Sequence, residues 1–194
     1  MNELMGARSL TTRPVVTLGG DAVAHVKDTV LDAAVARITG FTLSGRRLWS
    51  GPMKEALPWP AVYALGHDAV MVRDRRDLVS AAVLTGQQET LRARLLGARV
   101  VTDAGTEIGT VLDVVVEGGI GGRGRVVGFR TVASRRFAPG PAHRRRVFVP
   151  RGQTLTVAGR TLVLPEETVR HVTGDLPGFA TPAGVPGGRR GVWP

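Results

Sequence analysis

The sequence of 194 residues contains no cysteine, so neither a disulfide bond nor a thiolate metal site can form in it. Aromatic residues make up only 5% of the chain, and only 2 residues are lysine. No apolar run approaches the roughly 20 residues that a membrane-spanning helix requires. The first residues, MNELMGARSL, lack the basic start and the apolar run of a secretory signal peptide. Together these absences predict a cytoplasmic protein without a membrane span.

Positive charge is what the sequence has in excess. The net charge is +10, and 24 arginines supply nearly all of the basic residues. A GC-rich bacterial genome favours arginine over lysine, but it does not explain why residues 123–151 hold nine arginines and no acidic residue. The candidate partner-binding residues flank a Pro/Gly-rich loop in this segment and are Arg135, Arg136, Arg144, Arg145 and Arg146. Guanidinium groups bind phosphates and carboxylates alike. The alternative interpretation is a solvated loop in an arginine-rich proteome.

One part of the sequence occurs twice. Residues 13–32 read RPVVTLGGDAVAHVKDTVLD, and residues 98–117 read ARVVTDAGTEIGTVLDVVVE. The later correspondences, in the same order along the chain, are RITGF (37–41) with RVVGF (125–129), and residues 57–72 with residues 149–164. Because agreement at three places in one order is hard to produce by chance, the sequence indicates an internal duplication.

Each copy has the pattern of short β-strands. Residues 108–116 alternate between two faces and are rich in β-branched side chains. The turns LGG (18–20) and DAG (103–105) separate the first two strands of each copy. Several short strands at this spacing predict small barrels, in which closure removes exposed sheet edges. We therefore predict an all-β protein with two tandem small barrels of five or six strands each.

The regions outside this pattern predict the domain limits. The first copy spans residues 1–76, a short, partly helical linker spans 77–93, and the second copy spans 94–172. A Gly/Pro-rich segment without periodicity, residues 173–194, is predicted to be a disordered tail. In the linker, Asp77 is expected to cap a short helix, and residues 89–96 are expected to form another helical turn or two.

The stretch LLGARVVTDAGTEIGTVLDVVVE, followed by RVVGF, RRRVFVP and LVL, resembles the PRC-barrel family. That family is named after the cytoplasmic domain of the photosynthetic reaction-centre H subunit, and it includes the C-terminal domain of the ribosome-maturation factor RimM. The second copy has the whole pattern, whereas the first departs from it at Thr12 and Ala24, where the pattern has glycine. The resemblance implies structural roles for Gly20, Asp28, Gly40, Gly105, Gly109, Asp113, Gly128 and Pro150.

Two of these glycines carry specific expectations. Gly105 lies in the turn DAG, and we predict a positive φ there, where a Cβ atom is costly. Gly109 corresponds to Ala24 in the first copy. Since the first copy accepts a Cβ atom at this position, we expect Gly109→Ala to be the milder substitution.

Motifs that carry chemistry are not found. GIGGRG (119–124) fits G-x-G-x-x-G, but a strand rather than a helix follows it, and no acidic residue occurs between 118 and 165. The segment is therefore predicted to be an enlarged turn. The four histidines lack metal-ligand spacing, and no serine has a nucleophile-elbow context. We expect no catalytic residues, no cofactor and no metal site, and hence no enzyme.

The resemblance and the missing chemistry favour a non-enzymatic adaptor or assembly module that docks onto a protein partner. The arginine excess favours an acidic partner. The alternative, after the resemblance to RimM, is an RNA- or ribosome-associated factor that binds through residues 123–151. Peripheral association with an anionic membrane also stays open, and the sequence does not indicate an oligomeric state.

Overall fold

The computed structural model describes residues 3–32, 36–46, 50–85, 89–90, 95–121, 123–138, 146–153 and 155–180. Most of these residues lie in strands, and the all-β prediction is confirmed. The chain divides into two compact units. Unit 1 comprises residues 1–94 and 116–126, and unit 2 comprises residues 95–115 and 127–194.

Short strands account for most of unit 1. They are β1 (Leu4–Gly6), β2 (Pro14–Thr17), β3 (Ala22–Asp32), β4 (Arg37–Ser44), β5 (Pro52–Pro58), β6 (Val62–Leu65), β7 (Val70–Val72), β8 (Val79–Ser80), β9 (Glu89–Thr90) and β12 (Gly119–Ile120). Three 3-10 turns, at Ala7–Leu10, Trp59–Ala61 and Arg75–Asp77, and one helical turn, at Ala81–Thr85, connect them.

Unit 2 is built in the same way. Its strands are β10 (Arg99–Thr102), β11 (Glu107–Glu117), β13 (Val126–Ala133), β14 (Arg146–Pro150), β15 (Thr156–Ala158) and β16 (Thr161–Leu164), and the last residues of β11 and the first of β13 belong to unit 1. A 3-10 helix at Glu166–His171 and a helical turn at Leu176–Ala180 follow the strands.

Each unit contains six strands that are arranged in the same order in its sheet. The order is β6-β7-β2-β3-β4-β5 in unit 1 and β15-β16-β10-β11-β13-β14 in unit 2. The pairing of β2 with β7 is parallel, and so is the equivalent pairing of β10 with β16. This set of six has the predicted five or six strands per copy, although the described residues of unit 1 contain ten strands in all, and one of the two sheets is a curled half-barrel. Unit 1 also has the two-residue strands β12 beside β6, β8 beside β5, and β9 beside β3.

The two copies also agree in register. Val15 pairs with Ala24, and Val100 pairs with Gly109, and the register shifts directly after Val15 and after Val100. The limits of β2 and β3 therefore correspond residue for residue with those of β10 and β11. This confirms the expectation that residues 15–32 match residues 100–117 strand for strand. The duplication inferred from sequence is a duplication of structure.

Inward-facing residues of the strands form the core of each unit. Phe41 in unit 1 and its equivalent Phe129 in unit 2 are both 0% exposed. Around them lie buried aliphatic side chains, among them Val15, Val26, Leu57, Leu65 and Val70 in unit 1, and Val100, Val111, Val149, Leu162 and Leu164 in unit 2. Each fully buried side chain of this size contributes about 1.5–3 kcal/mol relative to its exposed state. The alternation of residues between two faces in the sequence corresponds to side chains that point alternately into the core and to the surface.

Residues 116–126 do more than turn the chain. Gly119 and Ile120 pair with Leu65 and Ala64 of β6. The segment 124–126 pairs with 36–38, since the Ile38 N–H donates to the Gly124 carbonyl at 2.8 Å. A Cβ atom on Gly124 would lie 2.8 Å from the Trp59 ring. The segment that the sequence predicts as an enlarged turn is thus part of the unit 1 sheet.

The linker region differs from its prediction in detail. Asp77 does not cap the helix: it ends the 3-10 turn Arg75–Asp77, whose cap is Asp74. The Asp74 carboxylate accepts from the Arg76 N–H at 2.8 Å, and the Asp77 carboxylate accepts from the Asp74 N–H. The helical turn starts only at Ala81. Residues 89–90 form β9 rather than a helix because their backbone groups pair with β3.

The tail begins later than predicted. Thr173 forms an antiparallel bridge with Phe148, and Leu176–Ala180 is helical. Phe179 is 0% exposed, and its ring centroid lies 6.1 Å from that of Phe148. The bridge at Thr173 and the buried Phe179 ring together hold residues 173–180 on unit 2. Residues 181–194 lie outside the described residues.

Candidate interaction surfaces

The two motif aspartates bind backbone groups. The Asp28 carboxylate accepts from the Thr29 N–H at 2.8 Å, and the Asp113 carboxylate accepts from the Val114 N–H at 2.8 Å. Asp28 also lies where the register between β3 and β4 shifts. A short acceptor that binds a neighbouring amide at such an irregularity is what a structural role requires.

The motif glycines occupy turns and places of close approach. Gly105 has φ +85° and Gly20 has φ +91°, so the positive φ predicted for Gly105 is confirmed. Gly40 and Gly128 pair across the sheet with Pro58 and Pro150, and a Cβ atom on either would collide with the carbonyl oxygen of the facing strand. Glycine is needed there because the two backbones approach closely.

Gly109 contradicts the expectation that its replacement is mild. A Cβ atom on Gly109 would overlap the carbonyl oxygen of Val132, a backbone atom that cannot turn aside. Ala24, its counterpart, is fully buried without a positive φ, whereas Gly109 has φ +156°. The two positions correspond in register but not in backbone conformation.

Three of the candidate arginines, Arg135, Arg136 and Arg146, lie at one end of the β13–β14 pair. We call the segment 135–146 the arginine loop. Arg135 and Arg136 are exposed in a turn directly after β13. Arg146 is exposed at the start of β14 and pairs in register with Val132. None of these three guanidiniums forms an ion pair within the described residues. Arg144 and Arg145 lie outside the described residues.

Hydrogen bonds fix the turn that carries Arg135 and Arg136. The Ser134 hydroxyl donates to the Glu107 carbonyl at 2.8 Å and accepts from the Phe137 N–H at 3.1 Å. The Ala138 N–H donates to the Ser134 carbonyl at 2.9 Å. The side chains of both arginines therefore start from a backbone that is held in place while they remain in solvent.

A second cluster of arginines lies on unit 1, which the sequence reasoning missed. A groove of about 420 Å³ is lined by Thr17, Gly19, Asp21, Ala22, Val23, Arg46, Arg73, Asp74 and Arg75. We call it the arginine groove. The Arg73 guanidinium lies over the Tyr63 ring, 5.5 Å from its centroid. Arg46 and Arg73 are distant in sequence, so only the pairing of the strands brings them together.

Neither a candidate metal site nor a membrane-spanning helix is found in the part of the chain that the structure describes. No group of three or more histidine, aspartate or glutamate side chains there has an arrangement suited to a metal ion. No helix of that part is long and apolar enough to cross a membrane.

The fold and these surfaces define a duplicated small β domain that carries arginine-rich surface patches. Residues 2–79, the first copy, match the family model of the PRC-barrel domain. The sequence pattern had favoured the second copy, whereas the family match covers the first. No curated protein matches the chain. PRC-barrel domains are commonly protein-interaction or assembly modules.

Proposed function

We propose that this protein is a non-enzymatic cytoplasmic adaptor that docks onto an acidic partner protein through the arginine loop. The observation that carries the proposal is the exposure of Arg135, Arg136 and Arg146 at one end of the β13–β14 pair, without a carboxylate partner among the described residues. An incoming carboxylate would meet guanidiniums that no carboxylate of the described residues occupies. Such contacts increase the association rate and fix the register of a complex.

The first copy supports a specialised role for this loop. The equivalent segment, GRRLWSGPMKEA (45–56), contains two arginines, one lysine and one glutamate, whereas RRFAPGPAHRRR (135–146) contains five arginines and no acidic residue. Both segments run from one equivalent strand into the next, β4 into β5 and β13 into β14, so the fold does not require the difference in charge. The difference in charge supports a role for this loop in binding a partner.

Binding to RNA or to the ribosome is the second candidate function. Nine arginines in residues 123–151 favour it, because guanidiniums also bind phosphates. Phosphate-led binding falls steeply with salt, by on the order of a thousandfold for several contacts between low and moderate salt. Filter binding with a structured RNA at two salt concentrations measures this dependence directly.

Affinity capture from the native host, quantified by mass spectrometry, tests the adaptor. We compare the wild type with the variant Arg135→Ser/Arg136→Ser/Arg146→Ser. A matched control, Arg76→Ser/Arg123→Ser/Arg170→Ser, removes the same charge from exposed residues elsewhere. We expect an acidic protein that binds the wild type and the control, is lost with the loop variant, and resists ribonuclease. Capture that ribonuclease abolishes favours the RNA candidate, and a partner retained by the loop variant contradicts the proposal.

A further inference from the structure

A row of apolar side chains crosses one face of the unit 1 sheet. The row consists of Ile120, Ala64, Met71 and Val16, each paired in register with the next. Directly paired residues project from the same face of a sheet. The adjacent row, which includes Leu65, is buried, so this row faces away from the core.

The ends of the row are the most exposed apolar residues of the described chain apart from Val83. Ile120 is 76% exposed, and Leu18, two residues beyond Val16, is 54% exposed. Met71 and Ala64 between them are half-buried. A contiguous exposed apolar surface of this kind is typical of a binding site. We call these five residues the apolar row.

The apolar row is continuous with the arginine groove. Ala22 pairs with Val16 and also lines the groove. Arg73, two residues after Met71, lines the groove as well and covers the Tyr63 ring. Tyrosine, methionine and arginine are the residue types that protein interfaces favour.

The arginines of the groove are available to an incoming anion. Arg46 donates to the Ala22 carbonyl at 3.4 Å, and none of Arg46, Arg73 and Arg75 forms an ion pair within the described residues. Of the two carboxylates in the lining, that of Asp74 already accepts the Arg76 N–H. The groove therefore offers three guanidiniums beside an apolar surface.

The second repeat indicates that the fold does not need this surface. Leu18 corresponds to Asp103, whose carboxylate accepts from the Glu166 N–H at 2.9 Å. Ala22 corresponds to Glu107, which lies 3.4 Å from Arg99. The same strands thus carry acidic residues in one copy and apolar residues in the other.

We propose that the apolar row and the arginine groove of unit 1 together bind a segment of another protein in which apolar side chains lie next to carboxylates. The apolar side chains of that segment cover Met71 and Ile120, and its carboxylates bind Arg73 and Arg75. This surface shares no residue with the arginine loop, so the two docking proposals stand or fall separately.

Charge selects this occupant over others. The lining holds three arginines and two aspartates, a net charge of +1, so it attracts the dense phosphates of a nucleic acid or of an anionic membrane only weakly. Arg73 covers one face of the Tyr63 ring, so a base cannot stack on that face. A second copy of the same surface would bring like-charged guanidiniums together. A protein segment can place single carboxylates beside the arginines while its apolar side chains cover the apolar row.

Selection of short random peptides displayed on phage, with the full-length protein as target, tests the proposal. Selected peptides are then synthesised and titrated by fluorescence anisotropy against Leu18→Asp, Ile120→Ser and Arg73→Glu/Arg75→Glu. Leu18→Asp introduces the residue that the second repeat already has. The controls are Val83→Ser, whose side chain is 77% exposed away from the row, and Arg76→Glu, next to Arg75 but outside the groove lining. Melting temperatures establish that every variant is folded.

We expect the selected peptides to combine apolar residues with aspartate or glutamate. Their affinity should fall about tenfold or more in each of the three variants, which corresponds to about 1.4 kcal/mol or more, and should stay unchanged in both controls and in the loop variant. The proposal is overturned if no such peptide is enriched, or if the peptides bind Arg73→Glu/Arg75→Glu as well as they bind the wild type. If instead a single-stranded RNA displaces the peptides from the wild type and fails to bind the same variants, that result would assign the surface to nucleic acid.

Discussion

Thr12 takes the left-handed backbone conformation that Gly97 takes in the second repeat, with φ 72° and 78° respectively. The Thr12 N–H donates to the Val26 carbonyl at 2.8 Å, and the Gly97 N–H donates to the Val111 carbonyl at 2.9 Å. A β-branched residue is strained in this conformation, whereas glycine is not. The first repeat therefore holds a backbone strain that the second lacks.

Thr12→Gly should stabilise the protein. Relief of a left-handed threonine is worth about 1 kcal/mol or more, partly offset by the greater backbone entropy of glycine in the unfolded chain. The free energy of unfolding, measured by urea denaturation, should rise for Thr12→Gly and fall for the reverse change Gly97→Thr. A decrease for Thr12→Gly would mean that its side chain makes contacts that outweigh the strain.

Gly109→Ala should destabilise more than Gly105→Val. At Gly105 nothing lies within 4 Å of an added Cβ atom, so the cost is that of a positive φ, roughly 1–3 kcal/mol. At Gly109 the added atom overlaps the Val132 carbonyl oxygen, and the strand itself must move. Thermal melting of the two variants ranks them. The opposite order would show that β13 yields easily at Val132.

Thr131→Val should raise stability by about 1 kcal/mol. Thr131 is 0% exposed, and its hydroxyl has no hydrogen-bond partner among the described residues. Leu43 is its apolar counterpart in the first repeat. Thr102→Val is the control, because the Thr102 hydroxyl accepts from the Thr106 N–H at 2.9 Å and its loss should lower stability. Equal effects in urea denaturation would indicate that the Thr131 hydroxyl is satisfied.

Arg13→Lys should make stability depend on alkaline pH. Burial lowers the pKa of Arg13, whose guanidinium donates to the Gly66 and Ser9 carbonyls. Arginine stays charged in the folded and the unfolded state near neutral pH, so Arg13 does not make the stability of the wild type depend on pH there. An exposed lysine has a pKa of about 10.4, and burial lowers the pKa only in the folded state. The unfolded state then binds more protons, so stability should rise as pH increases from about 8 to about 10.

Urea denaturation at several pH values measures the difference in the free energy of unfolding between Arg13→Lys and the wild type. We expect this difference to shrink with rising pH. A constant difference would mean that the amine reaches solvent.

The repeat explains how much of the fold could be predicted from sequence. Strand positions and the turn at Gly105 follow from period-two alternation and glycine placement, which are local signals, whereas the order of the strands in the sheet does not. Asp77 was assigned the wrong role because Asp74, three residues earlier, offers the same capping chemistry. Residues 89–90 and 119–124 were mispredicted because their partners lie far away along the chain, where no local pattern identifies them.

The candidate surfaces divide in the same way. Arg135, Arg136 and Arg146 could be found from the sequence because their charge is concentrated in one stretch. The arginine groove could not, since Arg46 and Arg73 meet only through the order of strands. Val16 and Met71 read as ordinary strand residues, and only the pairing with Ile120 makes them neighbours on one face.

The position of residues 116–126 within unit 1 has a consequence for folding during synthesis on the ribosome. Domains generally fold as units, the N-terminal one first, as the chain emerges during synthesis. Here the sheet of unit 1 gains β12 and the pairing of 124–126 with 36–38 only after the whole of β11 has been made. The family match, residues 2–79, does not include these pairings. A nascent chain that has emerged only as far as residue 79 should leave β6 as an open edge, and completion of the unit 1 sheet should wait until residue 126 has emerged.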